Sequence, residues 1–320
     1  MTRNLARTHQ PLNLFSIWRG MSRQARREAV EGYICISPWL VGFVMFVAGP
    51  ILASLLLSLT YWDIGSAPRW VGLQNYVEIF TNDGDFLQAL KVTLTYAVVT
   101  LPLHLVLGLA LSLLLNLRLR GMNFYRTLFY IPAVLPIVAV TMLWIWIFNP
   151  EFGVINHLLS LVGIEGPTWF HSPRWALPGL MLLGLWGVGG GAVIYLAGLQ
   201  NIPPHLYEAA EIDGANIWRR FWRITLPLLT PTLFFQLVLN LIATFQVFTQ
   251  SYIATQGGPL QATFFYMLYI YNKAFGTLRM GYGSALAWIL TLIILAVTLL
   301  VFRSSPHWVY YEAERRKEDA

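Results

Sequence analysis

The 320-residue chain is 57% hydrophobic and only 11% charged, with a mean hydropathy of +0.58. Soluble domains carry roughly 25% charged residues, so this composition excludes a soluble globular protein and defines an integral membrane one. A single cysteine, Cys35, excludes an internal disulfide, and the net charge of +6 is accounted for below by membrane topology rather than by nucleic-acid binding.

Residues 1–31 form a polar, basic tail with Arg3, Arg7, Arg19, Arg23, Arg26 and Arg27. Within it, Phe15-Ser16-Ile17-Trp18 and the arginines that follow suit either an amphipathic helix on the membrane surface or a basic tail that fixes topology. No cleavable signal is apparent, so the first apolar run is expected to act as an uncleaved anchor. Absence of an Asn-x-Ser/Thr sequon agrees with a bacterial source.

Six apolar runs reach the roughly 20 residues needed to cross a bilayer core: Ile34–Leu59, Thr93–Leu117, Leu128–Phe148, Ala176–Leu199, Leu229–Gln250 and Gly283–Phe302. None contains Asp, Glu, Lys or Arg. Prolines 50, 102, 132, 136 and 178 fall inside them, as membrane helices tolerate when neighbours satisfy the freed carbonyls. The domain layout is therefore a tail (1–31), an all-α six-helix membrane domain (32–305) and a second tail (306–320).

Basic residues orient the spans. Arg118, Arg120 and Arg126, then Arg219, Arg220 and Arg223, and finally Arg303, Arg315, Arg316 and Lys317 fall on the same side as the N-terminal tail. The alternate loops hold only Arg69, Lys91, Arg174, Lys273 and Arg279. Both termini are thus expected in the cytoplasm, facing the anionic inner leaflet.

In the first two-thirds of the chain, Gly184, Gly187 and Gly189-Gly190-Gly191 suit close helix packing. His104 is expected as a neutral packed residue, and Trp39, Trp62 and Tyr282 as interface anchors. Trp144, Trp146 and Tyr195 are candidates for stacking on the apolar face of a solute.

The loop 203–227 lies on the cytoplasmic side. Pro203-Pro204 opens a helix and Gly214 ends it. Leu206, Ala209, Ala210 and Asp213 fall at i, i+3, i+4 and i+7 on one face, with Glu208 and Glu211 beside it. Small side chains let such a helix sink into a partner's groove, where a carboxylate can take a charge-assisted bond from an arginine. Asn216 caps a second helix, with Ile217, Phe221 and Ile224 on an apolar face and three arginines pointing away. Pro227 is expected to break the chain before the fifth span. Taken on amphipathicity alone, the loop also reads as an ordinary interfacial helix.

The fifth span carries a polar stripe. At 100° per residue, Gln236, Asn240, Ala243, Val247 and Gln250 fall within about 80° of one another, flanked by Thr244 and Gln246. Asn240 lies roughly 16 Å from the cytoplasmic end at 1.5 Å per residue, near the midplane. Neutral amides and hydroxyls suit an uncharged, hydroxylated solute. They equally suit hydrogen bonds between helices, each worth about 0.6–2 kcal/mol.

The spacing Glu208-Ala209-Ala210, then Gly214, then Ile224-x-Leu226-Pro227 resembles the signature loop of ABC-importer permeases. Tyr130-Ile131-Pro132 and Phe148-Asn149-Pro150 through Gly153-Val154-Ile155-Asn156 are similar to carbohydrate permeases. Pro38-Trp39, Gly49-Pro50, Trp62-Asp63, Val71-Gly72-Leu73-x-Asn75-Tyr76 and Gly257-Gly258-Pro259 resemble their maltose-type branch. The likeness covers roughly residues 30–305. It implies a type I importer fold in the bacterial inner membrane, passing a sugar or related polyol. Implied partners are a second homologous permease, two ATPase subunits and an extracytoplasmic binding protein. Glu208, Ala209, Ala210, Asp213, Gly214, Ala215, Ile224, Leu226 and Pro227 would then couple to the ATPase, which alone would bind ATP and magnesium.

Three other functions are weighed against this one. An ion-coupled transporter usually needs intramembrane ionisable groups, and the spans have none. An enzyme would need a catalytic or phosphate-binding motif, yet none is found, and no lysine follows a glycine as a P-loop requires. An importer of polyamines, phosphate, amino acids or glycerol phosphate stays open, although spans without basic residues favour a neutral solute. Reporter fusions test the topology: residue 10, residues 200–215 and positions after 310 should report cytoplasm, and residues near 80, 165 and 265 the outside. A periplasmic signal from residues 200–215 would overturn the orientation.

Overall fold

Helix dominates because long apolar runs in lipid must satisfy their backbone groups internally. The computed structural model describes residues 22–117 and 119–310. Phe15–Trp18, Arg118 and the tail beyond residue 310 therefore lie outside the described residues. Among the described residues, four helices are long and apolar enough to cross a membrane, and up to six spans result if each of two bent pairs counts as one.

The chain divides into two units, Met1–Leu56 and Leu57–Ala320. In the first, Ser22 caps α1 (Arg23–Phe43) by accepting from the Ala25 N–H at 3.2 Å. A π turn over Val44–Ala48 joins α1 to α2 (Gly49–Ser58). Pro50 has no N–H for the carbonyl four residues back. The ladder widens just before it, where the Gly49 N–H reaches the Val44 carbonyl.

The second unit opens with a short hairpin, β1 (Thr60–Tyr61) antiparallel to β2 (Arg69–Trp70), with Thr60 opposite Trp70. Asn75, buried on α3 (Gln74–Thr81), donates to the Ser58 and Thr60 carbonyls at 2.8 and 2.9 Å. α4 (Gly84–Leu115) follows, and Arg126 covers its last turn by donating to the Leu115 carbonyl at 3.1 and 2.9 Å.

The third apolar run, expected as one span, is instead α5 (Met122–Val134) and α6 (Ile137–Ile147), bent by 99°. Pro136 is the cause. It disfavours helical backbone in the residue before it, and Leu135 is extended, with ψ of 141°. After α7 (Val154–Leu161), the fourth run is α8 (Ala176–Trp186) and α9 (Gly189–Gln200), bent by 43°. A Cβ on Gly189 would collide with the Phe129 carbonyl, so only glycine lets α9 meet α5 there.

Beyond the loop, with α10 (Pro204–Ile212) and α11 (Ile217–Arg220), come α12 (Leu226–Phe245), α13 (Thr249–Ala254), α14 (Tyr266–Tyr271) and α15 (Met280–Ser304). α4 packs against both α9 and α12, which also pack on each other. Among the described residues, buried side chains form three apolar clusters, which include Tyr266, Tyr269 and Leu286, then Phe148, Phe170 and Phe265, and then Tyr195, Leu199 and Leu229.

Asp83, just before α4, gathers the end of the unit expected to be external. Its carboxylate accepts from the Tyr269 and Tyr282 hydroxyls, both at 2.5 Å, and lies 3.2 Å from the Lys273 ammonium. Nearby, Arg279 makes a two-pronged pair with Glu78, both contacts at 2.9 Å, and lies 4.4 Å from the Tyr282 ring centre. Tyr282 is therefore a buried member of this cluster, not an interface anchor. Burial alone would push Asp83 up. Hydrogen bonds from Tyr269, Tyr282 and Lys273, together with the Lys273 charge, outweigh it and hold the carboxyl below the usual range.

A group whose folded value is depressed contributes stability above its unfolded value, near 3.9 for aspartate, and loses it as pH falls through the folded value. Asp83→Asn should thus lower the melting temperature at neutral pH, a loss of roughly 1.5–3 kcal/mol. The gap from wild type should close below about pH 4. Thermal unfolding at several pH values measures it, and a pH-independent gap would refute the charge's role.

Candidate coupling loop and solute pathway

The loop is built from its caps. α10 starts on Pro204, and at its end the Ala215 N–H bonds the Ala210 carbonyl at 2.8 Å while the Gly214 N–H bonds that of Glu211 at 3.0 Å. This double closure requires a left-handed residue between them, and Gly214 supplies it with φ of +72°. Nothing lies within 4 Å of where its Cβ would be, so the backbone conformation, not crowding, selects glycine here. Asn216 then caps α11, its Oδ1 accepting from the Arg219 N–H at 2.8 Å.

The outward face differs from the one expected. Leu206, Tyr207 and Ala210 are half-buried, while Glu208, Ala209, Glu211, Ile212 and Asp213 are exposed, Ile212 at 88%. Tyr207 turns inward because its hydroxyl pairs with Thr225 Oγ1 at 3.0 Å, fastening α10 to the base of α12. Glu211 pairs with Arg220, so only two of the three arginines point away freely, and Ile217 is exposed while Phe221 and Ile224 are partly covered. Sequence reasoning missed the Glu211–Arg220 and Tyr207–Thr225 contacts, because they join different helices across a turn whose geometry no local pattern fixes.

Pro227 does not break the chain. Helix runs from Ile217 to Thr225 and on into α12, with a π turn over Phe221–Thr225 in which the Leu226 N–H reaches the Phe221 carbonyl. As at Pro50, the widened turn absorbs the missing donor. Ile224 and Leu226 are half-buried at this base.

The polar stripe does not run as one line. α12 ends at Phe245, Gln246 has φ of −104° and Phe248 of −134°, so Gln250 on α13 is out of phase with Asn240. Gln236 is buried and donates to the Gly191 carbonyl of α9 at 2.8 Å. Asn240, half-buried, donates back to the Gln236 carbonyl at 2.8 Å, and buried Thr244 donates to that of Leu241 at 2.9 Å. Gln246 is exposed and Gln250 partly so. Of the proposed stacking aromatics, Tyr195 is buried and Trp144 packs on Phe148 and Trp186, leaving Trp146 exposed at 74%.

A helical membrane chain that presents a capped, outward helix between two candidate spans fits the permease class of ABC importers, and comparison with known proteins shows that class. The model of the binding-protein-dependent transport system inner membrane component family matches residues 104–308, and the chain belongs to that family. It is 45% identical over 297 residues to the probable ABC transporter permease protein YesP of Bacillus subtilis (strain 168), covering 92% of this chain and 96% of that one. It is 33% identical over 285 residues to the trehalose/maltose transport system permease protein MalF of Thermococcus litoralis, covering 88% and 96%. The sn-glycerol-3-phosphate permease UgpA of Agrobacterium fabrum is 36% identical over 282 residues, covering 87% and 96%. Among solved structures, a bacterial alginate ABC transporter in complex with its pentasaccharide-bound periplasmic protein superposes with a TM-score of 0.78 at 25% identity, covering 88% and 96%. The chain is thus a multi-pass membrane permease subunit with the type I importer fold.

Replacing Gly214 should follow conformation rather than size. Left-handed backbone costs an ordinary residue roughly 1–2 kcal/mol, and asparagine less. In a reconstituted complex, Gly214→Val should lose most uptake and Gly214→Asn much less. Equal loss for both would deny the left-handed cap its role.

Proposed function

We propose that this chain is the transmembrane subunit of an ATP-driven importer that passes a sugar or related neutral polyol into the cytoplasm, both of its termini being cytoplasmic. The outward α10, carrying Glu208 and Ala209 and locked by the Gly214 cap, is the observation that supports ATPase coupling. A bare helix with small and acidic side chains offers a partner groove close backbone approach and a charge-assisted bond. Two ATPase subunits would bind ATP and magnesium, a second homologous permease would complete the pathway, and an extracytoplasmic binding protein would deliver solute. This chain then does no chemistry of its own.

Glu208→Lys tests the coupling. The variant should insert and assemble, yet lose nearly all uptake and stimulated ATP hydrolysis in proteoliposomes. Full uptake would reject the docking role.

Solute selection rests on spans without a charged side chain and on the carbohydrate named for the trehalose/maltose and alginate systems. A glycerol phosphate substrate is the second reading, favoured by the similarity to UgpA. Competition of uptake by neutral sugars against glycerol phosphate separates the two.

On this reading Asn240 faces the pathway while Gln236 ties α12 to α9. Asn240→Leu removes only a bond within its own helix, so it should cut uptake several-fold with little change in melting temperature. Gln236→Leu removes the hydrogen bond that joins α12 to α9 and should lower the melting temperature instead, by a loss of about 0.6–2 kcal/mol. A destabilised Asn240→Leu complex with normal uptake per molecule would remove Asn240 from the pathway.

A further inference from the structure

α7 is fixed in place by one side chain. Asn156 donates to the Pro150 and Pro167 carbonyls at 3.2 and 3.1 Å and accepts from the Trp169 indole at 2.7 Å. The Trp169 ring stacks on Phe148, just past the end of α6, with centres 4.3 Å apart. It also meets Trp175, just before α8, edge-on at 5.6 Å. α7 therefore sits at the level where one bent candidate span ends and the next begins. Each of these ends carries an exposed indole, Trp146 in the last turn of α6 and Trp175 itself. Exposed indoles at span ends mark the boundary between hydrocarbon and water.

Around α7 the side chains divide into three sectors, centred roughly 120° apart at about 100° per residue. Ile155, Asn156 and Leu159 face the protein, Asn156 buried and the two apolar residues partly so. Val154, Leu158, Leu161 and the C-capping Val162 form the second sector and are exposed at 57%, 54%, 69% and 70%. His157 and Ser160 form the third, and beside them opens a polar cavity of about 670 Å³ that Glu151 and Glu165 also line. A surface helix in water turns its apolar stripe toward its own core. This one packs one such stripe and presents another. Four aliphatic side chains together on an open face call for a covering surface.

We propose that α7 lies in the membrane–water interface, with Val154, Leu158, Leu161 and Val162 among lipid acyl chains and His157, Ser160 and the two cavity carboxylates toward water. Three observations select lipid as the occupant. The helix is tied to the ends of two candidate spans, at the height where indoles place the boundary. Its open face is wholly aliphatic, whereas the centre of a protein contact is enriched in aromatic and arginine side chains. Its acidic neighbours line the cavity on the polar side, so the aliphatic sector enters hydrocarbon without desolvating a carboxylate. That division between faces is the one that holds a helix in the plane of the interface.

The test uses the full chain in its purified complex, reconstituted in phosphatidylcholine vesicles. With the only cysteine removed as Cys35→Ser, Leu158→Cys, Leu161→Cys, His157→Cys and Ser160→Cys each receive a nitroxide label. All four positions are exposed, so the fold is kept, and an unchanged melting temperature verifies it. Spin relaxation by oxygen, which concentrates in hydrocarbon, is compared with relaxation by a water-soluble nickel chelate. Labels at positions 158 and 161 should favour oxygen over nickel several-fold more than labels at 157 and 160. Equal nickel access at all four positions puts α7 in water and overturns the proposal. So does shielding of 158 and 161 from both reagents, which assigns the face to a protein partner such as the second permease. Because the readout is membrane depth, it is independent of the solute carried and of coupling through Glu208, and the two readings fail separately.

Discussion

In hydrocarbon a carbonyl without a donor costs several kcal/mol, and this chain places prolines within or beside every kind of span it has. Much of the architecture is the set of ways in which those missing donors are accommodated. Before Pro50 and Pro227 the ladder widens into a π turn, and the helix continues. At Pro136 it does not, because the preceding residue is forced out of helical backbone and the chain turns by 99°. One residue type sits within continuous helix in one context and at a sharp corner in another.

Polar side chains obey the same constraint. Asn75 closes two carbonyls where α2 gives way to the hairpin. Asn156 does so for a longer loop, donating to the Pro150 and Pro167 carbonyls at 3.2 and 3.1 Å and accepting from the Trp169 indole at 2.7 Å. Motifs that mark the carbohydrate-permease resemblance therefore include structural joints. Asp83 does the equivalent work for charge: two hydroxyls and an ammonium converge on it from α14, α15 and the turn between them.

The loop 203–227 also leaves large apolar side chains uncovered. Its caps are complete, yet Ile212, Ile217, Trp218 and Trp222 stay exposed. Large apolar side chains held rigidly in the open belong against a surface that the chain itself lacks. The two halves of the loop carry opposite charge, acidic on α10 and basic on α11, which suits them to different neighbours.

Much of this was legible in residues alone. Hydrophobic length marked the long apolar helices, and the loop's caps were visible in Pro204, Gly214 and Asn216, since each is selected by a local backbone requirement. What the sequence could not decide was whatever depends on two distant segments meeting. Gln236 and Asn240 look alike on a helical wheel, yet one is consumed by the Gly191 carbonyl of α9 and the other bonds only within its own helix. Tyr282 reads as an interfacial aromatic until Asp83 arrives from nearly two hundred residues away. Periodicity fixes the face a side chain occupies on its own helix. Only tertiary packing determines what that face meets, because the energy of a polar group in an apolar medium depends on its partner.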